Sequence, residues 1–339
     1  MLQNLNNYYK FLTIKNLNKF HFRGIIKATK YCEVRTLLLS VNNVTKSFGE
    51  KQVLKGISFT AESGKALGLL GRNGAGKTTL IRIIMGVFNS DSGSVTINDE
   101  PLNSKNVKIG YLPEERGLYP KKKITEQLVY FAELQGVDKK TAMMRVNTLL
   151  KKLELQEYKN ARLDTLSKGN QQKIQLIATL ITDPEIVILD EPFSGLDPVN
   201  AGLLKDIVKE LIEKGCLVLF SSHQMNYIEE FCNDILIING GETVLGGAIK
   251  DIKRSYARNI IEISTENAKE IFDFLNSQNC NFIKRIYIEN SQVIVVLSDE
   301  DSKDKLMTLL STKGNIIDGF KVKEPTLNEI FIAYTEGKI

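Results

Sequence analysis

The chain has 339 residues, of which 42% are hydrophobic and 25% are charged, and its formal net charge is +5. This composition is typical of a globular protein, and the length suggests two domains. The longest stretch without Asp, Glu, Lys or Arg is the 14 residues 215–228, which is short of the roughly 20 residues that a membrane-spanning helix needs. Any transport function therefore requires a separate membrane partner.

Positive charge is concentrated at the amino terminus. Residues 1–35 contain seven Lys or Arg and one acidic residue, and the rest of the chain has a net charge of −1. We therefore predict no basic surface for nucleic acid on the domains. The cysteines stand far apart without a C-x-x-C pair, so neither a metal site nor a disulfide framework is indicated.

The basic leader, residues 1–36, allows two interpretations. It is either disordered sequence from an over-extended start site, with translation beginning near Leu37, or a basic amphipathic segment that lies on a membrane surface. We favour the first, because the leader shows no secretory cleavage pattern and no sustained periodicity.

The first domain pattern is a series of strands interrupted by a loop and a helix. Residues 66–70 form a short apolar run typical of a buried parallel strand, and residues 80–85 have the spacing of a helix that faces a core. Between them, GRNGAGKTT (71–79) fits G-x-x-x-x-G-K-[ST], the phosphate-binding loop of P-loop nucleotide hydrolases and transferases. Its glycines let successive N–H groups surround an anion, and the positive end of the following helix adds to the attraction. We expect Lys77 to reach the β and γ oxygens and the Thr78 hydroxyl to hold Mg²⁺.

A mostly helical insertion follows at 124–166. Thr125 and Asp138 are the predicted helix caps, and apolar residues recur at spacings of three and four. Two non-alternating apolar runs come next, IVILD ending at Asp190 and CLVLFSS ending at Ser222, which indicates strands buried on both faces of a parallel sheet.

Candidate catalytic residues for phosphoryl transfer to water lie at the end of the first of these strands. Asp190 is placed to bind Mg²⁺ through water, and Glu191 to orient or deprotonate the attacking water. A second anion site is predicted in LSKGN, where Ser167 and Gly169 precede a helix. A chain with one P-loop but two phosphate-facing helix ends makes sense if the second end serves the nucleotide of another protomer.

After about residue 255 the pattern becomes strand, helix, strand, strand, helix, strand. This order predicts a small ferredoxin-like α+β domain. A last helix is predicted to start at Pro325 and Thr326, with Glu329 completing a capping box.

Over roughly residues 37–255 the sequence resembles the ATP-binding subunits of ABC transporters. The resemblance rests on motifs in the family's order and spacing: GRNGAGKTT (71–79), LSKGN (166–170), ILDEP (188–192), SGLD (194–197) and His223. It implies an α/β P-loop NTPase of ABC type, with a parallel core sheet, an antiparallel β subdomain and a helical insertion at about 115–170. The small C-terminal ferredoxin-like domain would then cover 256–339.

The resemblance also implies roles for individual residues, with ATP and Mg²⁺ as cofactors. Glu191 is the expected catalytic base, His223 contacts the γ-phosphate together with Lys77, and Phe48 stacks on adenine. In a head-to-tail dimer, Ser167 and Gly169 contact the nucleotide held by the partner subunit, and Asp197 lines the dimer contact. The other expected nucleotide-binding residues are Gly71, Arg72, Asn73, Gly74, Ala75, Gly76, Thr78, Thr79, Glu114 and Asn170, and the metal-binding set is Thr78, Asp190 and Glu114.

Some positions depart from the family pattern. Glu114 stands where Gln is usual, which keeps an oxygen for Mg²⁺ but adds a negative charge, and Lys168 and Asn170 stand where Gly and Gln are commonest. PEERGLYP together with EPTLNEIF resembles the subgroup of sodium-extrusion and drug-resistance exporters, whose subunits carry a small C-terminal domain. We expect that domain to strengthen dimerisation or to regulate ATP turnover.

Two surfaces have open interpretations. The run 121–123 of three lysines either is solvated or faces acidic loops or lipid headgroups of the membrane partner. Leu118, Tyr119 and Tyr130 either belong to the core or line a groove for a helix of the permease.

The sequence thus predicts a peripheral ATPase on the cytoplasmic face of the membrane. Its expected partners are an integral membrane permease, through which it drives export, and a second ATP-binding subunit, with a homodimer favoured and no nucleic acid. The alternative is a soluble ABC-type ATPase that acts on ribosomes or DNA, although the second cassette or long coiled coils of such proteins are absent from the sequence. A third hypothesis, a P-loop small-molecule kinase, does not explain the presence of LSKGN followed by adjacent Asp190 and Glu191.

Overall fold

The structure is a computed structural model that describes residues 36–102, 107–115, 117–312 and 317–336. The basic leader therefore lies, except for Thr36, outside the described residues, and both of its interpretations stay predictions. No helix in the described parts of the chain is long and apolar enough to span a bilayer.

The first half of the described chain contains six of the fourteen described strands. They and the first three helices are, in chain order, β1 (Leu38–Phe48), β2 (Lys51–Glu62), β3 (Ala66–Leu70), α1 (Lys77–Ile84), β4 (Ser92–Ile97), β5 (Glu100–Pro101), β6 (Ile109–Leu112), α2 (Ile124–Leu134) and α3 (Lys139–Lys152). Short 3-10 helices follow at Gln156–Tyr158 and Leu163–Thr165.

The second half alternates helices and strands before a small separate sheet. Its elements are α4 (Lys168–Leu180), β7 (Ile186–Asp190), α5 (Pro198–Glu213), β8 (Leu217–Ser221), α6 (Met225–Phe231), β9 (Asp234–Asn239), β10 (Glu242–Ala248), α7 (Ile249–Arg254), β11 (Ile260–Ser264), α8 (Ala268–Ser277), β12 (Ile283–Glu289), β13 (Gln292–Leu297), α9 (Lys303–Thr312), β14 (Gly319–Val322) and α10 (Leu327–Thr335).

The central sheet has the order β10-β9-β3-β8-β7-β6 among the described residues, and its strands are parallel except at the β9–β10 hairpin. Strands β3, β7 and β8 are buried along their whole length, as their unbroken apolar sequences predict. Alternate residues supply opposite faces: Val187 and Leu189 pack under the helices, whereas Ile186 and Ile188 pack toward β1, β2 and α1. The carboxyl ends of these strands therefore meet at one edge, where the functional residues follow.

A second, antiparallel sheet has the order β2-β1-β4-β5 and covers one face of the central sheet. The helical insertion, α2 and α3, packs on the other side with α4. Asp138 caps α3 as predicted, by accepting from the Thr141 N–H. The cap predicted at Thr125 is wrong: α2 begins at Ile124, and the Thr125 hydroxyl donates instead to the Lys159 carbonyl at 2.6 Å.

The C-terminal sheet has the order β12-β13-β11-β14 and is antiparallel throughout, with α8 and α9 on one face. This is the ferredoxin-like arrangement that the element order predicts. The sheet and these two helices have a hydrophobic core of their own.

Helix α10 packs against the ATPase-side core instead of this small core. Thr326 and Glu329 form the predicted capping box at its start. Leu327 and Ile330 are buried in the core that contains α2 to α6, and the Leu327 N–H donates to Glu229 of α6 at 2.8 Å. Helix α10 is thus attached to the helix that follows His223.

Candidate functional site

The loop between β3 and α1 is shaped by close backbone approaches. A Cβ at Gly71 would lie 2.5 Å from the Ile238 carbonyl oxygen, and one at Gly76 would lie 2.6 Å from Leu54. Gly76 also has a φ of 112°, in the region that favours glycine. Only glycine fits both positions without a shift of neighbouring atoms, so the sequence motif has a direct steric reason here.

Lys77 closes the loop from inside. Its Nζ donates to the Gly71 carbonyl at 2.6 Å and lies 3.3 Å from the Arg72 carbonyl. Burial lowers the pKa of Lys77, and the negative charges of Asp190, Glu191 and Glu114 oppose this shift. The ammonium group therefore sits among carboxylates and loop carbonyls at the place where phosphate oxygens would be held.

Asp190 ends β7 beside Ser221 of β8, its register partner. Burial raises the pKa of this carboxyl group, whereas the neighbouring Ser221 hydroxyl and the Lys77 charge favour the ionised form. The Tyr111 hydroxyl lies 3.4 Å from Asp190 Oδ2, and burial raises the pKa of Tyr111 to about 12. Tyr111 therefore stays protonated and faces the acid as a donor at neutral pH.

Glu191 has a constrained backbone and a tightly held carboxylate. Its φ is 49°, which is uncommon for a residue with a side chain, and its N–H donates to the Ser221 carbonyl at 2.9 Å. The Ser222 hydroxyl donates to Oε2 at 3.1 Å, and the His223 N–H donates to Oε1 at 2.8 Å. The His223 Nδ1 is 2.9 Å from the same Oε1, although the imidazole is 72% exposed.

Lys77, Asp190, Glu191 and His223 line one cavity of about 640 Å³. Its volume is within the range of small-molecule sites. The lining residues are Lys51, Val53, Asn73, Gly74, Gly76, Lys77, Thr78, Thr79, Glu114, Asp190, Glu191 and His223. Three ionisable groups implied for catalysis, Lys77, Glu191 and His223, thus share a cavity with the three implied metal-binding residues.

The chemistry of the cavity fits Mg²⁺ bound with a nucleotide. Thr78, Asp190 and Glu114 offer a hydroxyl and two carboxylates, the hard oxygen donors that Mg²⁺ prefers. Within the described residues, no three His, Cys, Asp or Glu side chains gather into a metal site of their own. Mg²⁺ typically binds through one or two carboxylates plus substrate phosphates, so this donor set suits a metal that enters with the triphosphate.

The structure leaves other sequence-predicted residues outside the cavity lining. Gly71, Arg72 and Ala75 belong to the same loop but do not line the space. Phe48 is 46% exposed and packs edge-to-face on Phe88, with ring centroids 5.5 Å apart. The Lys46 Nζ also lies over this ring, 5.6 Å from its centroid, so the stacking of Phe48 on adenine stays a prediction.

The residues of the second predicted anion site lie at the start of α4, outside this cavity. The Ser167 hydroxyl caps the helix by accepting from the Asn170 N–H at 3.3 Å. Gly169 packs against the next loop, since a Cβ there would lie 3.0 Å from Asn200 Nδ2 and 3.7 Å from Asp197 Oδ2. Asp197 in turn caps α5. Ser167, Gly169, Asn170 and Asp197 therefore form a second cluster, which lies outside the chain's own cavity lining.

Several functional neighbours are missing from the sequence interpretation. Ser222 donates to Glu191, Ser221 is the register partner of Asp190, and Lys51 and Val53 contribute to the cavity from β2. The serines stand directly before His223 at a strand end, a position that could have drawn attention to them. Lys51 and Val53 carry no local signal, because β2 reaches the loop only through the packing of the two sheets.

Known proteins show the same organisation. Residues 54–194 match the family described as "ABC transporter", and residues 247–335 match the family "ATP-binding protein DrrA1-3-like, C-terminal domain". The "Uncharacterized ABC transporter ATP-binding protein YhaQ" of Bacillus subtilis (strain 168) is 41% identical over 296 residues, which are 87% of this chain and 97% of that protein.

Two further similarities agree with these matches. The "Linearmycin resistance ATP-binding protein LnrL" of Bacillus subtilis (strain 168) is 30% identical over 307 residues, 88% of this chain and 98% of that protein. A solved structure described as "Structure of ATP binding subunit of ABC transporter" superposes with a TM-score of 0.60 at 29% identity, and covers 64% of this chain and 92% of that one. The P-loop NTPase fold of the central domain is therefore confirmed.

Proposed function

The chain belongs to the ATP-binding proteins of ABC transporters, a family that hydrolyses ATP to power transport, and we propose that it works as a head-to-tail dimer that drives export through a separate permease. The observation that supports the dimer is the separation of the two phosphate-facing clusters. One chain provides the cavity of Lys77 and Glu191, while its Ser167 helix end lies outside that cavity's lining. A twofold dimer can place the helix end of each subunit over the cavity of the other.

Each cavity residue has a separate task in this proposal. Lys77 exchanges the Gly71 and Arg72 carbonyls for the β- and γ-phosphate oxygens, because a buried ammonium group gains most from a charged partner. Thr78, Asp190 and Glu114 hold Mg²⁺, which supplies charge neutralisation at the phosphates. Glu191 accepts a proton from the attacking water, and His223 contacts the γ-phosphate.

The hydrogen bonds on Glu191 suggest how it is kept ready as a base. Ser222 and the backbone of His223 fix its two oxygens from the side of β8. The exposed His223 ring can leave Oε1 without unfolding any core contact, because most of its surface is already in solvent. Its departure toward a phosphate frees Oε1 for water, so nucleotide entry and base activation are linked.

An export function is supported by the nature of the relatives. LnrL is named as a linearmycin resistance protein, and resistance by an ABC system is naturally explained by removal of the compound. Since ATP-binding subunits of this family pair with membrane permeases, we place the chain on the cytoplasmic face of the membrane, bound to its permease and without nucleic acid.

The surface near α2 is the proposed contact for the permease. Tyr119 and Tyr130 are 53% and 50% exposed, and both rings lie against Phe131. Leu134, on the same helix face as Tyr130, is 64% exposed. A patch of aromatic and aliphatic side chains beside the lysines of 121–123 is suited to an amphipathic helix with acidic flanks.

Copurification tests the transporter assignment against the ribosome or DNA alternative. Tagged chain isolated from detergent-solubilised membranes is expected to retain an integral membrane protein in a stoichiometric complex. Exchange of both Tyr119 and Tyr130 for Ser should weaken this complex while leaving ATP binding unchanged, because neither residue lines the cavity. Recovery of ribosomes or DNA in place of any integral protein would overturn the proposal.

An ion pair just beyond the C-terminal helix α10 predicts a small effect on ATP affinity. Arg72 Nη2 of the P-loop lies 2.9 Å from Glu336 Oε1, just beyond α10, and both side chains are partly exposed. Replacement of Glu336 with Gln should release Arg72 toward the phosphates and tighten ATP binding by up to about 5-fold at low salt, the scale of an exposed ion pair. Fluorescence titration of a nucleotide analogue measures the change.

Salt provides the control for this effect. The difference between Glu336→Gln and the original chain should vanish at high ionic strength, where exposed pairs are screened. The matched variant Glu324→Gln removes another C-terminal acid, which lies 3.8 Å from Arg258 and not near the P-loop. Equal effects of the two variants would show that net charge, and not contact with Arg72, is responsible.

A further inference from the structure

Gln175 of α4 makes a two-pronged contact with the loop that carries Glu114. The side chain is 4% exposed, and its Nε2 donates to the Pro113 carbonyl at 3.2 Å and to the Glu115 carbonyl at 3.0 Å. A primary amide has two N–H groups, so one can serve each carbonyl. The backbone on both sides of Glu114 is therefore fixed by a single side chain.

The same helix face also holds the strand that leads to this loop. The Thr179 hydroxyl, one turn after Gln175, donates to the Tyr111 carbonyl at 3.1 Å. A Cβ at Gly110 would lie 2.6 Å from the Thr179 carbonyl, so α4 and β6 are in close contact. Gln175 continues this contact beyond the end of β6, into the loop where the sheet no longer constrains the backbone.

The position of Gln175 on α4 connects two functional regions. Ser167 and Gly169 lie at the first turn of the helix, and Gln175 lies eight residues after Ser167, which is about 12 Å along a helix axis. A hydrogen-bonded helix transmits a displacement of its first turn over such a distance with little internal deformation. A shift of the cluster that faces the partner subunit therefore reaches the Glu114 loop.

We propose that Gln175 is a positioning residue that sets the orientation of the Glu114 carboxylate toward the metal of the bound nucleotide. This rests on the proposed function, in which Glu114 is a metal ligand. Glu114 is exposed and lines the cavity, so its own side chain has little packing to orient it. The amide of Gln175 supplies that orientation through the backbone, as partners behind a metal ligand commonly do.

The test measures how much Mg²⁺ improves nucleotide binding, so it needs no turnover. A fluorescent non-hydrolysable ATP analogue is titrated into the full chain in Mg²⁺ and in EDTA, and the ratio of the two affinities is compared. Gln175→Leu keeps the side-chain size but removes the donors, and it should lower this ratio about 10-fold. Gln175→Glu, which also cannot donate at neutral pH, should lower it in the same direction and serves if the Leu variant folds poorly.

Matched variants separate positioning from general stability. Thr179→Val removes a hydrogen bond from the same helix to the same segment, but three residues before Glu114, and should change the ratio less than 2-fold. In a chain that already carries Glu114→Ala, Gln175→Leu should have no further effect on the ratio, because the group through which it acts is gone. Affinity in EDTA should stay unchanged in the single variants at Gln175 and Thr179.

The outcomes distinguish the positioning role of Gln175 from the metal-binding role of Glu114. A lower melting temperature for Gln175→Leu with an unchanged ratio overturns the positioning role and leaves a structural one. If Glu114→Ala lowers the ratio while Gln175→Leu does not, only the inference about Gln175 fails. If Glu114→Ala itself has no effect, the metal role of Glu114 is wrong, and the inference about Gln175 is overturned with it.

Discussion

Replacement of Glu191 with Gln is expected to reduce ATP turnover by at least about 100-fold, since a positioned general base typically contributes 10²- to 10⁴-fold to a rate. Gln keeps the size of the side chain and one oxygen, so the backbone turn at this residue and its packing should survive. The amide cannot take a proton from water, however. Steady-state turnover at saturating Mg-ATP, with binding measured in parallel, separates the loss of chemistry from any loss of affinity.

The same substitution should make the dimer easier to observe. In the proposed dimer, hydrolysis removes a γ-phosphate that both subunits contact, so a chain that binds Mg-ATP without cleaving it should accumulate in the paired state. Light scattering after size exclusion should show a shift from monomer to dimer on addition of Mg-ATP. A variant that remains strictly monomeric, also in the presence of its permease, would contradict the shared-site proposal.

Glu115→Gln is the control for charge. Glu115 is exposed, stands in the loop next to Glu114, and does not line the cavity. Its exchange removes one negative charge from the same region without touching the proposed base. Turnover within about 2-fold of the original chain is expected, the ordinary size of a surface change.

Much of the nucleotide site could be predicted because its parts are local in the sequence. The P-loop lies directly between β3 and α1, and Asp190 and Glu191 directly follow an apolar strand. A strand, a turn and a helix start are each recognisable from adjacent residues, and parallel strands bring their carboxyl ends to one edge without further information. The ferredoxin-like order of the last sheet follows in the same way from alternating strand and helix patterns.

The contacts that tune the site depend on residues distant in sequence, and so they were beyond prediction. Ser222 meets Glu191 from 31 positions away, and the Gln175 amide meets the Glu115 carbonyl across 60. The mistaken cap at Thr125 has the same origin, because its hydroxyl found the carbonyl of Lys159, 34 residues later. Hydrogen-bonding side chains take the nearest suitable partner in three dimensions, and periodicity does not encode that partner.

The docking of α10 is a related case. Its capping box was visible in the sequence, but its buried residues joined the ATPase-side core and not the core of the small domain that precedes it. An amphipathic pattern predicts that a helix has an apolar face. Which surface this face packs against depends on the topology of the fold. The contact of Glu336 with Arg72 results from that docking.

A dimer that carries one substitution at Lys77 and one at Gly169 should keep function only when the two substitutions are in different chains. Lys77→Ala removes the cation at the β- and γ-phosphates, and Gly169→Asp places a negative charge where the partner's γ-phosphate is proposed to lie. Either change alone should lower turnover at least about 100-fold in a uniform dimer. A mixed dimer with Lys77→Ala in one subunit and Gly169→Asp in the other still contains one site with an intact Lys77 and an intact Gly169.

Differently tagged copies, purified together in the permease complex, allow these mixed dimers to be compared with a matched control. The control pairs an unchanged subunit with one that carries both substitutions, so the total number of changes is equal but each site has one defect. The first arrangement should occlude about one radiolabelled ATP per dimer and the control none, because a twofold head-to-tail pair completes each site from both chains. The reverse result, one ATP occluded in the control and none in the first arrangement, would mean that each chain completes its own site.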